Sequence, residues 1–207
     1  GCTTDERYVY YTPRQGASAH GVFARYDTWG SFTSAASWEI IDMGAVNAAY
    51  KGYTDATYIG GYVYYSPTTN GAYHGNVLRF DTRKSFANSA SWEAVNLASF
   101  NGLNVGYFGI GNDGRYVYLS PFFNGAYQGR ALRYDTTLPF TAAASWEALI
   151  LSGIDSNLKG FTGIVSDGFN IFYVPYYQGS TYFGAVVRFS STDTVSRAMS
   201  KPGGPSI

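Results

Sequence analysis

Tyr116-Val117-Tyr118-Leu119-Ser120-Pro121, then Arg133-Tyr134-Asp135-Thr136, then Ser145-Trp146-Glu147 decide the fold, because the whole string recurs. Fifty-four residues earlier stand Tyr62-Val63-Tyr64-Tyr65-Ser66-Pro67, Arg79-Phe80-Asp81-Thr82 and Ser91-Trp92-Glu93. Another 54 residues back are Tyr8-Val9-Tyr10-Tyr11-Thr12-Pro13, Arg25-Tyr26-Asp27-Thr28 and Ser37-Trp38-Glu39. A fourth copy keeps Pro175 after Ile171-Phe172-Tyr173-Val174, carries one extra residue before Arg188, and has Ser200 where the next Trp would fall. Three independent markers in one register establish an internal repeat, and a repeat fixes the architecture before any single element is assigned.

Each unit reads as four short strands. The first is small and apolar, as in Gly109-Ile110-Gly111, and closes on a turn at Asn112-Asp113-Gly114; Asp-Gly between extended runs is a strong hairpin signal. The Tyr-Val-Tyr run is the second strand, since β-branched and aromatic residues fit a pleated, half-buried surface. Gly129 to Asp135 gives the third and 145–151 the fourth. No segment sustains a helical period. The expected fold is all-β: a β-propeller of about four blades, each of four antiparallel strands. The units are 1–54, 55–108, 109–162 and 163–207, in a single domain, with the last lacking a clear outer strand.

This pattern resembles the kelch repeat, in which an aromatic-aliphatic strand, an Arg-Tyr-Asp step and a Trp about ten residues later follow one another. Tyr116-Val117-Tyr118, Arg133-Tyr134-Asp135 and Trp146 stand in that order here. Four-bladed hemopexin-like domains are similar in size and also carry an Arg-aromatic-Asp step. Either resemblance implies a propeller.

Composition narrows the function. Fourteen basic residues balance fourteen acidic ones, and only 14% of the 207 residues are charged. Nucleic acid is thereby disfavoured as a partner, because phosphate neutralisation needs a basic excess. No apolar run is long enough for a transmembrane helix. Cys2 is the sole cysteine, so no intrachain disulfide or cysteine metal cluster is expected; its alignment with Ala56, Ile110 and Ile164 predicts a buried apolar position. No cofactor is implied, and no charged-then-apolar leader opens the chain. Low charge with 20 Tyr and 25 Gly suits an extracellular, cell-surface or virion protein.

The repeated Arg and Asp of the third strand read as braces within the blade, and Trp38, Trp92 and Trp146 as fillers between blades. Trp29 lies outside the repeat and reads as an exposed aromatic. The loops carry the functional signal. Between strands two and three stand Asn70, Tyr73 and His74 in one unit and Asn124, Tyr127 and Gln128 in the next, with His20 at the His74 position of the first. Asn47, Asn101 and Asp155, spaced by 54, occupy the loop leading to the next blade. Both loops emerge on one face, so amides, imidazoles and tyrosines recur around one rim. One reading makes them a ligand-binding surface, because binding residues gather on loops held by a rigid scaffold; the other makes them good turns. The functional expectation is a non-catalytic module that recognises a neutral glycan-like ligand multivalently. The alternatives are a structural subunit whose partners are other protein chains or further copies, packed through its faces and the incomplete fourth unit, and an enzyme with carboxylates such as Asp5, Asp113 and Asp167 around a central channel.

Overall fold

Strands rich in Tyr and Val on both faces favour burial of both, so the sheets are expected to stack on one another. The computed structural model describes residues 1–15, 18–182 and 184–190, and each unit forms one antiparallel sheet. Blade 1 comprises β1 (Cys2–Thr4), β2 (Tyr8–Tyr11), β3 (Val22–Asp27) and β4 (Trp38–Asp42). Blade 2 comprises β5 (Tyr53–Ile59), β6 (Tyr62–Pro67), β7 (Asn76–Asp81) and β8 (Trp92–Asn96). Blade 3 comprises β9 (Tyr107–Asn112), β10 (Tyr116–Pro121), β11 (Arg130–Asp135) and β12 (Trp146–Ile150). In blade 4, β13 (Phe161–Ser166), β14 (Asn170–Pro175) and β15 (Val187–Ser190) form a three-stranded sheet among the described residues. The expected loss of its outer strand concerns 191–207, which lie outside the described residues.

Within every blade the strands follow chain order, inner to outer. Successive residues point to opposite faces, which gives each blade a forward face toward the next blade and a back face toward the preceding one. Tyr10, Phe23 and Met43 face forward from blade 1 and meet Tyr65, Leu78, Phe80, Phe86 and Trp92 on the back of blade 2. Tyr64, Val77 and Leu97 of blade 2 meet Leu119, Leu132, Tyr134 and Phe140 of blade 3. Tyr118, Ala131 and Leu151 of blade 3 meet Ile171, Tyr173, Val187 and Phe189 of blade 4. The core is therefore three equivalent seams between blades.

Each seam holds one arginine. Arg25, Arg79 and Arg133 sit opposite Glu39, Glu93 and Glu147 on the neighbouring strand and bond them, at 2.7 Å for Arg25 and Arg133. The same guanidinium lies over a ring of the next blade: Arg25 is 5.1 Å from the Phe86 centroid, Arg79 4.4 Å from Phe140 and Arg133 5.4 Å from Phe189. A buried cation is tolerable only when its hydrogen bonds and charge are met, and the planar guanidinium can be paired and stacked at once. The Asp of the same step acts elsewhere. Asp27 pairs with Arg7 at 2.7 Å, Asp135 with Arg115 at 2.8 Å and Asp81 with Arg83 at 2.7 Å, bracing the turn after the third strand.

Desolvation pushes the Asp135 carboxyl up, but the Arg115 guanidinium and the Thr137 hydroxyl and amide outweigh it and hold the pKa down at about 2. A depressed carboxylate stabilises the fold above its unfolded pKa, and that stabilisation fades as pH falls toward about 2. Arg115 is more than half exposed, so solvent reduces the effect to about 1 kcal/mol. Asp135→Asn is expected to flatten the urea stability profile by that amount between pH 6 and pH 2. An unchanged profile would show the pair to be inert.

Inner strands stack in sequence: β1 on β5, β5 on β9 and β9 on β13. Among the described residues β13 shows no comparable stacking on β1, and the four blades form a propeller-like arc. Cys2 reports this directly. Its equivalents Ala56 and Ile110 are buried by the preceding blade, whereas Cys2 is exposed. The expectation that Cys2 is buried is corrected: Cys2 is exposed, and among the described residues no blade lies over the back face of blade 1.

Candidate functional site

Two sets of loops meet on one rim, tied together by backbone bonds that recur at each of the three junctions between blades. The amides of Gly52, Gly106 and Gly160 donate to the carbonyls of His20, His74 and Gln128 at 3.1, 3.1 and 3.0 Å. The carbonyls of the same glycines accept from Thr68, Phe123 and Tyr177 of the following blade at 3.0, 3.0 and 3.2 Å. Each glycine thus joins the loop between strands two and three of one blade to that of the next. All three have φ between 72° and 75°, the left-handed region that L side chains avoid. A Cβ there would also strike the carbonyl of Thr69, Phe123 or Tyr177.

Each loop closes on an isolated bridge: Gln15 with Ala19, Thr69 with Tyr73, Phe123 with Tyr127 and Tyr177 with Tyr182. The candidate residues divide by what their polar atoms touch. The Oδ1 atoms of Asn47, Asn101 and Asp155 each accept, at 2.9 Å, the amide two residues on, so these three shape their own turns. His74 is buried, its Nδ1 accepts from the Asn76 amide at 3.3 Å, and burial depresses its pKa. His20 Nδ1 accepts equivalently from Val22 at 3.3 Å, but its ring is exposed. Gln128 donates to the Val105 carbonyl at 2.8 Å and Asn70 to that of Ala49 at 3.1 Å. Asn124 begins the tip of its loop, its amide donating to the Ala126 carbonyl at 3.1 Å.

The tyrosines behave differently. Tyr73 packs on Phe123 at 5.1 Å between centroids, Phe123 on Tyr127 at 4.9 Å, Tyr127 on Tyr177 at 5.0 Å and Tyr177 on Tyr182 at 5.3 Å. Phe122 and Tyr176 flank this row, 5.5 Å from Tyr127 and 5.7 Å from Tyr182. The result is an aromatic belt across blades 2 to 4, with Tyr73 39% and Tyr182 77% exposed. Burial and the adjacent phenols push the Tyr127 pKa up. Phe122, Phe123, Tyr176 and Tyr177 are not among the sequence candidates. Their signal is an aromatic doublet directly after the repeated Pro at 121 and 175, where the first two units carry Arg14-Gln15 and Thr68-Thr69.

At that polar end the rim opens into a cleft of about 400 Å³ lined by Gln15, Ser18, Lys51, Thr69 and Asn70. The rim therefore runs from an amide- and hydroxyl-lined cleft with one lysine to a row of tyrosines. Rings with a polar tip offer stacking area and directional bonds together.

Protein-family models and curated proteins yield no match to the chain. Among solved structures it is similar to Hsv2 of Kluyveromyces lactis, at 12% identity and a TM-score of 0.47. The match covers 98% of this chain, which spans about half (52%) of that one.

Proposed function

We propose that this kelch-like array is a non-catalytic binding module of an extracellular, cell-surface or virion protein, holding a neutral hydroxyl-rich ligand such as a glycan on its loop rim. The supporting observation is the aromatic belt from Tyr73 to Tyr182, a continuous row of rings partly open to solvent and continuous with a polar cleft. Sugar rings stack their C–H faces on such surfaces while their hydroxyls bond amides and phenols beside them. Lengthwise repetition allows a chain-like ligand to engage several weak subsites at once, which raises apparent affinity without new contacts.

Binding of a fluorescent chain to a glycan array tests this reading. Tyr73→Ala combined with Tyr127→Ala is expected to lower affinity about ten-fold or more, two stacking contacts being lost. Tyr182→Ala, on the most exposed ring of the belt, removes one contact with the melting temperature unchanged. A wild-type chain that binds no glycan, or variants that bind as well as wild type, would overturn the proposal.

The acids that an enzymatic reading would need are engaged in hairpins. Asp5 accepts from the Tyr8 amide at 2.7 Å and the Tyr10 hydroxyl at 2.6 Å. Asp113 does the same with Tyr116 at 2.7 Å and Tyr118 at 2.8 Å. The reading as an assembly subunit is favoured by a separate observation, the apolar side chains exposed at the two ends of the arc, such as Phe32 and Val186.

A further inference from the structure

Blade 1 has a back face built like those of blades 2 and 3, yet no other blade among the described residues covers it. Val9, Tyr11, Ala24, Tyr26, Phe32 and Trp38 stand where blade 2 has Val63, Tyr65, Leu78, Phe80, Phe86 and Trp92. In blade 2 the first five of those are fully buried. In blade 1, Phe32 is 63% exposed and the others of its set are only partly covered. The rings are already arranged as a seam: Tyr26 lies 5.2 Å from Phe32 and 5.0 Å from Trp38, and Tyr11 lies 5.7 Å from Trp38. Phe80, Phe86 and Trp92 form the same group at 5.1 to 5.3 Å inside the fold.

Blade 4 carries the complementary surface. Val186 occupies the position of the buried Ala131, and is 48% exposed on the forward face. Arg188 occupies the position of Arg25, Arg79 and Arg133, and is exposed. Those three each lie over an aromatic of the following blade, and the aromatic pair waiting at the equivalent place on blade 1 is Tyr26 with Phe32. The volumes also match. At the seam between blades 3 and 4, Gly111 leaves room for Ile164, whose side chain a Cβ at Gly111 would strike. The equivalent pair at the ends of the arc is Val165, 58% exposed, with Cys2. Large against small is kept, with the sides exchanged.

We propose that the forward face of blade 4 docks on the back face of blade 1 of a second copy of this chain, so that copies associate head to tail. The occupant is chosen by continuity with the three internal seams: a fourth seam made from these two faces repeats their arginine-over-aromatic contact and their packing. The interface is heterologous, using two different patches, so it closes only as a ring or extends as a filament.

Sedimentation velocity across micromolar concentrations is expected to show species of two or more chains. Phe32→Asp disables the blade 1 face and Val186→Asp the blade 4 face, and both sites are exposed, so each variant should remain folded and sediment as a single chain. Mixing the two variants leaves one intact interface and should restore a dimer but nothing larger. In a second measurement, Val165→Cys should cross-link through Cys2 of the next copy on mild oxidation and be released by a thiol, whereas wild type should not. If either aspartate variant unfolds, the cross-link alone decides. A wild-type chain that stays monomeric at every concentration, or a Val165→Cys chain that gives no intermolecular cross-link, would overturn the proposal and leave the two faces to other occupants.

Discussion

Gly106→Ala is expected to destabilise the chain by about 3 kcal/mol or more, as read from the midpoint of urea unfolding. Gly106 has φ 72°, and a Cβ on it would meet the carbonyl oxygen of Phe123. That oxygen cannot step aside, because its loop is fixed by the Phe123 amide donating back to Gly106 at 3.0 Å. Strain and clash therefore add. Gly114 separates them: its φ is 92°, but a Cβ there meets nothing, so Gly114→Ala should cost only about 1 kcal/mol. Equal effects at the two positions would mean that backbone angle alone matters and that the junction between blades is less constrained than its hydrogen bonds imply. Gly52→Ala and Gly160→Ala should follow Gly106→Ala.

Phe80→Ala is expected to cost about 3–5 kcal/mol, the usual range for emptying a fully packed aromatic site. Phe80 is completely buried, 5.1 Å from both Phe86 and Trp92 and 5.9 Å from Tyr10 of the preceding blade. Tyr26 is its equivalent one unit earlier, with a similar ring group from its own blade but, among the described residues, none from a preceding one. Tyr26→Ala should therefore cost far less, about 1 kcal/mol, in dilute solution where single chains predominate. The contrast isolates the contribution of a neighbouring blade from that of the residue itself. Similar losses at the two positions would mean that the back face of blade 1 is covered even in a single chain.

The blades were legible in the sequence because their signal is periodic. Tyr116-Val117-Tyr118, Arg133 and Trp146 recur at a fixed interval, and a packing role held by every unit must recur with it. The strands fall within a residue or two of the expected limits; β10 runs to Pro121 and β11 starts at Arg130 where Gly129 was expected. The burial of Cys2 was misread for the same reason. Alignment assigns it the environment of Ala56 and Ile110, but environment depends on the neighbour, and among the described residues no blade lies behind the first unit. The rim was half legible. Tyr73 and Tyr127 stand out beside Asn-Gly turns, but Asn47, Asn101 and Asp155 spend their oxygens on their own turns, which spacing cannot reveal. The doublets Phe122-Phe123 and Tyr176-Tyr177 escape because they occur in two units, not four, so a search for what repeats passes over them. Periodicity hides such departures, and the proposed binding rim rests on them.

The glycine junctions carry one more implication, about ancestry. Every blade is joined to the next by the same pair of backbone bonds through the same left-handed residue, and these bonds ask nothing of blades farther away. Stability in such arrays is a sum of unit and nearest-neighbour terms. A gene encoding this chain can then gain or lose 54 codons in frame at a junction, and the surviving seams keep their geometry. Unit number becomes free to drift while unit design stays fixed, and each newly duplicated rim loop is a spare copy whose side chains can diverge.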